Sequence, residues 1–150
     1  YLRWLAGAVL TGNYAGFEQN YALYTPSAKN GKYGIIPWDY EGTWGRNCYG
    51  HKCRVDTVRI TGYNSLTRKL LSYGDIRQKY KGILNQLLSD TFTVSRLSPI
   101  IKEMHASIAP YIRNDSTRRW SFSVFEAEPE YMIQYIRDRR KTVMRELEQL

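Results

Sequence analysis

The sequence predicts an α+β domain in which helices outnumber strands. The first third carries two short β-like runs, 20–24 and 33–38, separated by a segment with the Asn30-Gly31 pair that is typical of hairpin turns. The apolar residues of the last half recur with helical spacing. That spacing predicts helices at 65–72, 74–88, 94–112 and 129–150. With 150 residues, the chain is long enough for one domain with its own core.

The elements follow in a simple order. The apolar run 2–10 predicts a buried helix that ends at Thr11–Gly12, and 13–19 is expected to be a loop. After the hairpin, 39–58 is irregular and rich in glycine and tyrosine; a loop of that length in a compact domain is usually functional or disordered. The last helix is expected to start at Pro129, because proline suits the first helical turn.

The net charge is +8, which favours acidic partners. Acidic residues nevertheless interleave with the basic ones in the last helix, where we expect Arg137, Arg139 and Arg140 to form surface pairs with acids such as Asp138 and Glu146. A basic nucleic-acid-binding domain is therefore a remote alternative, which a steeply salt-dependent affinity for oligonucleotides would support. Nucleic acid is not among the expected partners.

The chain starts at Tyr1 without a basic leader, and its first apolar run is too short to span a membrane. We therefore expect a fragment of a longer protein with no membrane partner. Cys48 and Cys53 enclose four residues, including His51. Structural zinc needs about four ligands and no fourth candidate is near, so a local disulfide is the first expectation and two free thiols the alternative.

Two polar residues at the base of the hairpin predict a metal site. Antiparallel strands bring their outer ends together, so Asn20 and Asp39 should lie side by side. Amide and carboxylate oxygens suit Mg²⁺, which completes its coordination with water and substrate phosphates. The alternative is that each side chain caps its own turn.

The same spacing occurs in protein kinases. There a catalytic Asp precedes a metal-binding Asn by five residues, and a second metal-binding Asp follows further along the chain. Counting back from Asn20 leads to Ala15, and Asp39 takes the later position. One departure is that Gly42 follows Asp39 by three residues rather than two.

The amino-acid sequence of these segments resembles that of the CotH family of spore-coat kinases. The similar stretches are YLRWLAGAVLTGNYAGFEQNY, GKYGIIPWDYEGTWGRNCYG, GYNSLTRKLL and EPEYMIQYIRDRRKTVMRELEQL, so the resemblance covers 1–150 as the C-terminal, catalytic lobe of a longer protein. It implies a kinase-like C-lobe and an atypical protein kinase that transfers the ATP γ-phosphate to serine of spore-coat proteins with Mg²⁺ or Mn²⁺. It also implies a location in the spore coat or mother-cell cytoplasm of a spore-forming bacterium.

The resemblance implies a role for each position. Asp39 and Asn20 would bind the metal, and position 15 would hold the catalytic Asp that accepts the proton of the substrate hydroxyl. This chain has Ala15, and a methyl group can neither orient nor deprotonate a hydroxyl. Ala15 is either an engineered inactivation or a natural loss, and a natural loss would leave a pseudokinase or a coat-assembly scaffold without catalysis.

Further positions are expected around this site. Trp38, Tyr40 and Gly42 are expected to line the nucleotide site, although the aromatic rings could instead pack the end of the hairpin. Arg46 is expected to contact a phosphate, the substrate or an acidic neighbour. A kinase also needs an N-terminal lobe with a glycine-rich loop and a phosphate-contacting Lys. Neither is found in 1–150, so we expect this chain alone to bind ATP weakly.

Overall fold

The computed structural model describes residues 1–18, 21–25 and 31–150. It is mostly helical with one small antiparallel sheet, which confirms the α+β prediction. The elements are α1 (Leu2–Thr11), α2 (Ala15–Glu18), β1 (Tyr21–Tyr24), β2 (Gly34–Pro37), α3 (Ser65–Leu71), α4 (Gly74–Gln86), a π-helical turn (Leu87–Thr91), α5 (Val94–Asn114) and α6 (Phe122–Gln149).

Helix α1 is the centre of the core, as its apolar sequence predicts. Leu5, Ala6 and Val9 are fully buried against α4 and α6. The helix ends at Gly12, whose φ of 71° is a left-handed conformation that glycine adopts without steric cost. The C-terminal end of α1 thereby turns sharply toward the long loop that follows the hairpin.

The hairpin is confirmed in the register that pairs Tyr21 with Pro37 and Tyr24 with Gly34. Both faces of β1 are exposed. Asn20 and the segment 26–30, which includes Asn30 of the predicted turn, lie outside the described residues. The pairing of the strands therefore rests on 21–24 and 34–37.

The segment 13–19 was expected to be a loop, and this is wrong for part of it. Ala15–Glu18 forms one helical turn. The reason is local: the Oδ1 atom of Asn13 accepts a hydrogen bond from the backbone N–H of Gly16 at 3.0 Å, which satisfies a donor at the start of the turn.

The predicted start of the last helix at Pro129 is also wrong, because α6 begins at Phe122. Proline in a helix has no N–H for the carbonyl four residues earlier, here that of Phe125. The Nε2 atom of His105 on α5 donates to that carbonyl oxygen at 3.0 Å, and its ring stacks on Phe125 at 4.1 Å between centroids. A neighbouring helix thus replaces the missing hydrogen bond.

Two arginines predicted on the surface of α6 are not surface residues. Arg139 is fully buried and donates to the carbonyl oxygens of Val9, Val55 and Val58. Arg140 donates to the carbonyls of Leu88 and Phe92 at the π-helical turn. Surface pairing fails for these two residues because backbone carbonyls, rather than acids, accept the hydrogen bonds of their guanidinium groups.

Candidate functional site

A cavity of about 190 Å³ lies where the C-terminal end of α1, the start of α2 and the long loop meet. Its wall includes six of the positions that the sequence singled out. These are Ala15, Asp39, Gly42, Arg46, Cys48 and Cys53. Positions 24 residues apart in the sequence, Ala15 and Asp39, therefore border one space.

Asp39 follows the end of β2 and has a φ of 56°. A left-handed conformation is uncommon for a residue other than glycine, and such residues concentrate at functional sites. The half-buried Asp39 thus combines an unusual backbone with a place on the cavity wall. Its expected partner, Asn20, lies outside the described residues, so their joint metal site stays a prediction.

Ala15 is the first residue of α2 and borders the cavity beside Tyr14. Its methyl group brings no proton acceptor to this wall. Trp38 is 63% exposed and, like Tyr40, does not contribute to the cavity wall. Their expected nucleotide contacts therefore remain predictions, and Gly42 alone of that group borders the cavity.

Gly42 is where two parts of the long loop come closest. A Cβ atom at this position would lie 3.0 Å from the backbone nitrogen of Cys48. Only glycine fits that approach without a shift of the backbone. The glycine therefore shapes the cavity, whatever it contributes to nucleotide binding.

Asn13 is a residue at this site that sequence reasoning missed. Its side chain is fully buried, and its Nδ2 atom has no hydrogen bond of normal geometry among the described residues. Burial raises the pKa of the nearby Tyr40 phenol, and the Asn13 side chain opposes that rise. An asparagine between a helix and a loop has the same sequence signature as an ordinary turn residue, so no local pattern marks it.

Arg46 binds an acidic neighbour, one of the alternatives expected for it. Its Nε atom donates to Oε2 of Glu128 at 3.0 Å, its Nη2 donates to Oε1, and its Nη1 donates to the carbonyl of Gly50 at 2.8 Å. The guanidinium also lies 4.5 Å from the centre of the Tyr131 ring. The hydrogen bond to Glu128 raises the pKa of Arg46, and the contacts with Glu128 and Gly50 hold the cation at the edge of the cavity.

The first part of the long loop is tied to α1 and α6. The N–H of Trp44 donates to the carbonyl of Thr11 at 2.7 Å, and the Tyr131 hydroxyl donates to the carbonyl of Gly45 at 2.6 Å. Tyr135 packs beside Gly45, and burial raises the pKa of its phenol to about 12. These contacts hold one wall of the cavity on two helices.

The two cysteines stand near the cavity as free thiols, Cys48 exposed and Cys53 half-buried. The structure thus has the two cysteines as free thiols, which was the alternative expectation, and the disulfide stays a prediction. Within 1–18, 21–25 and 31–150, no group of three or more His, Cys, Asp and Glu residues is arranged to hold a metal ion. No helix in that part of the chain is long and apolar enough to cross a membrane.

Comparisons with known proteins agree with the resemblance read from the sequence. The chain is 42% identical over 139 residues to "Inner spore coat protein H" of Bacillus subtilis (strain 168), which covers 93% of this chain and 38% of that protein. It is 29% identical over 91 residues to "Inner spore coat protein H-like protein" of the same organism, covering 61% of this chain and 30% of that protein. The chain thus spans less than two fifths of either relative. Residues 1–143 match the family described as "CotH kinase protein", and the chain belongs to that family.

Proposed function

We propose that this chain is the catalytic-lobe part of a spore-coat protein of CotH type that, when intact, transfers the ATP γ-phosphate to serine residues of coat proteins. The family description and the coat-protein names of both relatives support this. The observation that carries the proposal is the cavity shared by Ala15 and Asp39. The same names support a location in the spore coat or in the mother cell.

The residues present fit a divalent metal. Asp39 offers a carboxylate at the cavity wall, and Asn20 would add an amide oxygen; such hard oxygen ligands suit Mg²⁺ or Mn²⁺. A bound metal would neutralise the charge of the transferred phosphate. In this proposal the residues of the chain hold the nucleotide phosphates beside position 15, where a serine hydroxyl would approach.

The exposed hairpin supports the idea that a further part of the protein completes the nucleotide site. Large apolar side chains are exposed on and beside the two strands: Tyr21, Leu23, Tyr24, Tyr33, Ile36 and Trp38. An isolated two-stranded hairpin is marginally stable, and several large apolar side chains exposed on one small hairpin are typical of an interface. We propose that the N-terminal lobe of the longer protein covers this patch and encloses ATP.

Ala15 favours a second candidate function, a pseudokinase or coat-assembly scaffold without catalysis. Position 15 has no general base, and the loss of such a group typically slows proton transfer by ~10²–10⁴-fold. Nucleotide binding does not need that base. The two candidates therefore agree on ATP and metal binding and differ in phosphotransfer.

The test compares the full-length protein carrying Ala15 with the Ala15→Asp variant. The acceptor is a serine-containing coat protein, and radiolabelled ATP is supplied with Mg²⁺ or Mn²⁺. We expect Ala15→Asp to raise transfer by ~10²–10⁴-fold, and Asp39→Asn in that background to abolish the gain. A folded Ala15→Asp protein that binds ATP but transfers no phosphate would instead support the scaffold.

A further inference from the structure

A second concave surface, of about 720 Å³, lies on the other side of Arg46. We call it the basic groove. It runs between the loop 46–52 and the start of α6. Its rim carries Lys52, Arg118 and Arg119, and its apolar floor includes Ile112, Trp120 and Phe125.

The charge of the groove is strongly one-sided. Glu128 is the acid among its lining residues, and Arg46 already neutralises it. Lys52, Arg118 and Arg119 have no salt bridge to a carboxylate among residues 1–18, 21–25 and 31–150. Asp115, which lies outside the lining, interacts electrostatically with Arg118. Lys52 and Arg119 therefore supply most of the positive potential over this concave surface, which favours an acidic ligand.

Contacts within the protein position two of these three cations. Arg118 donates through Nη1 to the carbonyls of Arg113 and Asp115, at 3.1 and 2.8 Å. Lys52 lies with its Nζ atom 5.0 Å from the centre of the Tyr131 ring. The Arg119 side chain is exposed and makes no hydrogen bond within the described ranges. The groove thus offers two positioned cations and a third that remains available to a ligand.

Trp120 joins the two walls of the groove. Its ring lies edge-on to His51 at 6.3 Å between centroids and packs beside the backbone of Gly50, yet 50% of the residue stays exposed. Together with Ile112 and Phe125 it offers apolar surface beneath the cations. Large exposed aromatic side chains in a pocket are typical anchors of protein interfaces.

We propose that the basic groove binds an acidic segment of a partner protein, with an apolar side chain of that segment inserted against Trp120. Charge complementarity selects the Asp and Glu residues of the segment, and the aliphatic part of the floor accommodates its apolar residue. Nucleic acid fits less well. One face of Phe125 is already stacked on His105, so Trp120 is the ring of the named floor residues that is left for a base, whereas single-stranded nucleic acid is bound on successive aromatic rings.

The groove adjoins the catalytic cavity, because Arg46 lines both. A segment bound in the groove would tether its protein beside Asp39 and position 15. A role in docking a kinase substrate rests on the proposed function. Binding of the acidic segment does not rest on it, since it requires neither nucleotide nor phosphotransfer.

The test uses the full-length protein and a fluorescein-labelled peptide of six glutamates that flank a leucine and a phenylalanine. Anisotropy is measured without nucleotide at 50 mM and 300 mM NaCl. We expect binding at low salt that weakens as salt screens the charges. Arg119→Glu should weaken it by about three- to tenfold, because one exposed attraction becomes a repulsion. Trp120→Ala should also weaken it.

The matched control is Arg96→Glu, the same charge change at an exposed residue of the first turn of α5. Arg96 precedes Ile112 by 16 residues, about 24 Å along the helix axis, so this variant should bind the peptide as the parent does. Circular dichroism confirms that each variant is folded. Absence of binding at 50 mM NaCl, equal weakening by both charge changes, or tighter binding of an oligonucleotide at equal salt would each overturn the proposal.

Discussion

The two halves of the loop that joins β2 to α3 are held in different ways. The first half, 39–53, is linked to α6 by the ion pair between Arg46 and Glu128, whose side chains are 22% and 27% exposed. The second half, 54–64, is held by Arg139, which is fully buried and binds only backbone carbonyls. A partly exposed ion pair is sensitive to salt, whereas a buried donor is costly to remove.

The two halves of the loop also differ in their further contacts and in the concave surfaces that they line. The second half has further buried ties: Ile60 accepts a hydrogen bond from the Tyr80 hydroxyl at 2.7 Å and donates its N–H to Glu146 at 2.8 Å. Both halves border the cavity shared by Ala15 and Asp39, and among the described residues the first half also lines the basic groove. The buried hydrogen bonds of the second half fix the position of the loop, and the first half presents groups to the groove.

The largest expected effect is that of Arg139→Met. This change removes the donor from the carbonyls of Val55 and Val58, at ~1–3 kcal/mol for each buried group, while the carbonyl of Val9 keeps its hydrogen bond from the N–H of Gly12. We expect the free energy of unfolding to fall by about 3–5 kcal/mol in urea denaturation. Arg137→Met, on the exposed side of the same helix, should change it by less than about 0.5 kcal/mol. A loss below about 1 kcal/mol for Arg139→Met would show that this anchor is dispensable.

The next largest effect is expected where the first half of the loop packs closely against α6, at Gly45. Gly45 has a φ of 82°, and a Cβ atom there would lie 2.7 Å from Cδ2 of Tyr135 and 2.9 Å from the hydroxyl of Tyr131. Gly45→Ala should therefore cost about 2–4 kcal/mol of unfolding free energy. The control is Gly82→Ala in α4, where the added methyl meets nothing within 4 Å and should stabilise the helix by about 0.5–1 kcal/mol. Similar effects of the two changes would contradict the packing described.

The third effect is a loss of stability in alkali. Burial raises the pKa of Tyr135 to about 12, above the ordinary value of about 10. The raised value favours the neutral phenol, so this contribution is complete below about pH 10 and lost as the pH rises toward 12. We expect a loss of about 2 kcal/mol by pH 12, and a shallower decline in Tyr135→Phe. Parallel declines in both proteins would assign the alkaline transition to another group, such as Tyr80, whose pKa burial also raises.

The smallest effect concerns the ion pair of the first half. Glu128→Gln should lower the free energy of unfolding by about 0.5–1 kcal/mol at low salt, and 1 M NaCl should reduce the difference. The control Glu130→Gln removes an exposed acid 3.4 Å from Lys102 and should be nearly neutral. Because Glu128→Gln also leaves Arg46 without its counter-charge, the acidic peptide should bind the basic groove more tightly. Unchanged peptide binding would show that the charge of Arg46 does not contribute to binding in the groove.

Local signals predicted much of the fold. Apolar spacing located the helices from Ser65 onward, and the two β-like runs located the hairpin. The start of α6 could not be predicted in this way, because the rule for Pro129 is local while the donor that makes proline tolerable, His105, lies on another helix. The burial of Arg139 likewise depends on Val9, 130 residues away.

The sequence also predicted part of the candidate site, but not the residues that support it. Kinase-like spacing and the family resemblance singled out Ala15 and Asp39, which share a cavity. Glu128 and Tyr131 were missed as its supports, because they contact the loop across more than 80 residues of sequence. The segment around Glu128 was instead interpreted, from Pro129, as a helix start, because the local sequence does not show the contact with Arg46.

The dependence of the loop on Arg139 has a consequence for synthesis on the ribosome. Val55 precedes its donor by 84 residues, so the ribosome completes the cavity-forming segment well before the arginine that fixes it. At typical elongation rates this interval is roughly 4–17 s. During that time the nascent chain carries the apolar α1 and the carbonyls of Val55 and Val58 without the donor from Arg139, and the cavity shared by Ala15 and Asp39 is completed only after α6 has been synthesised.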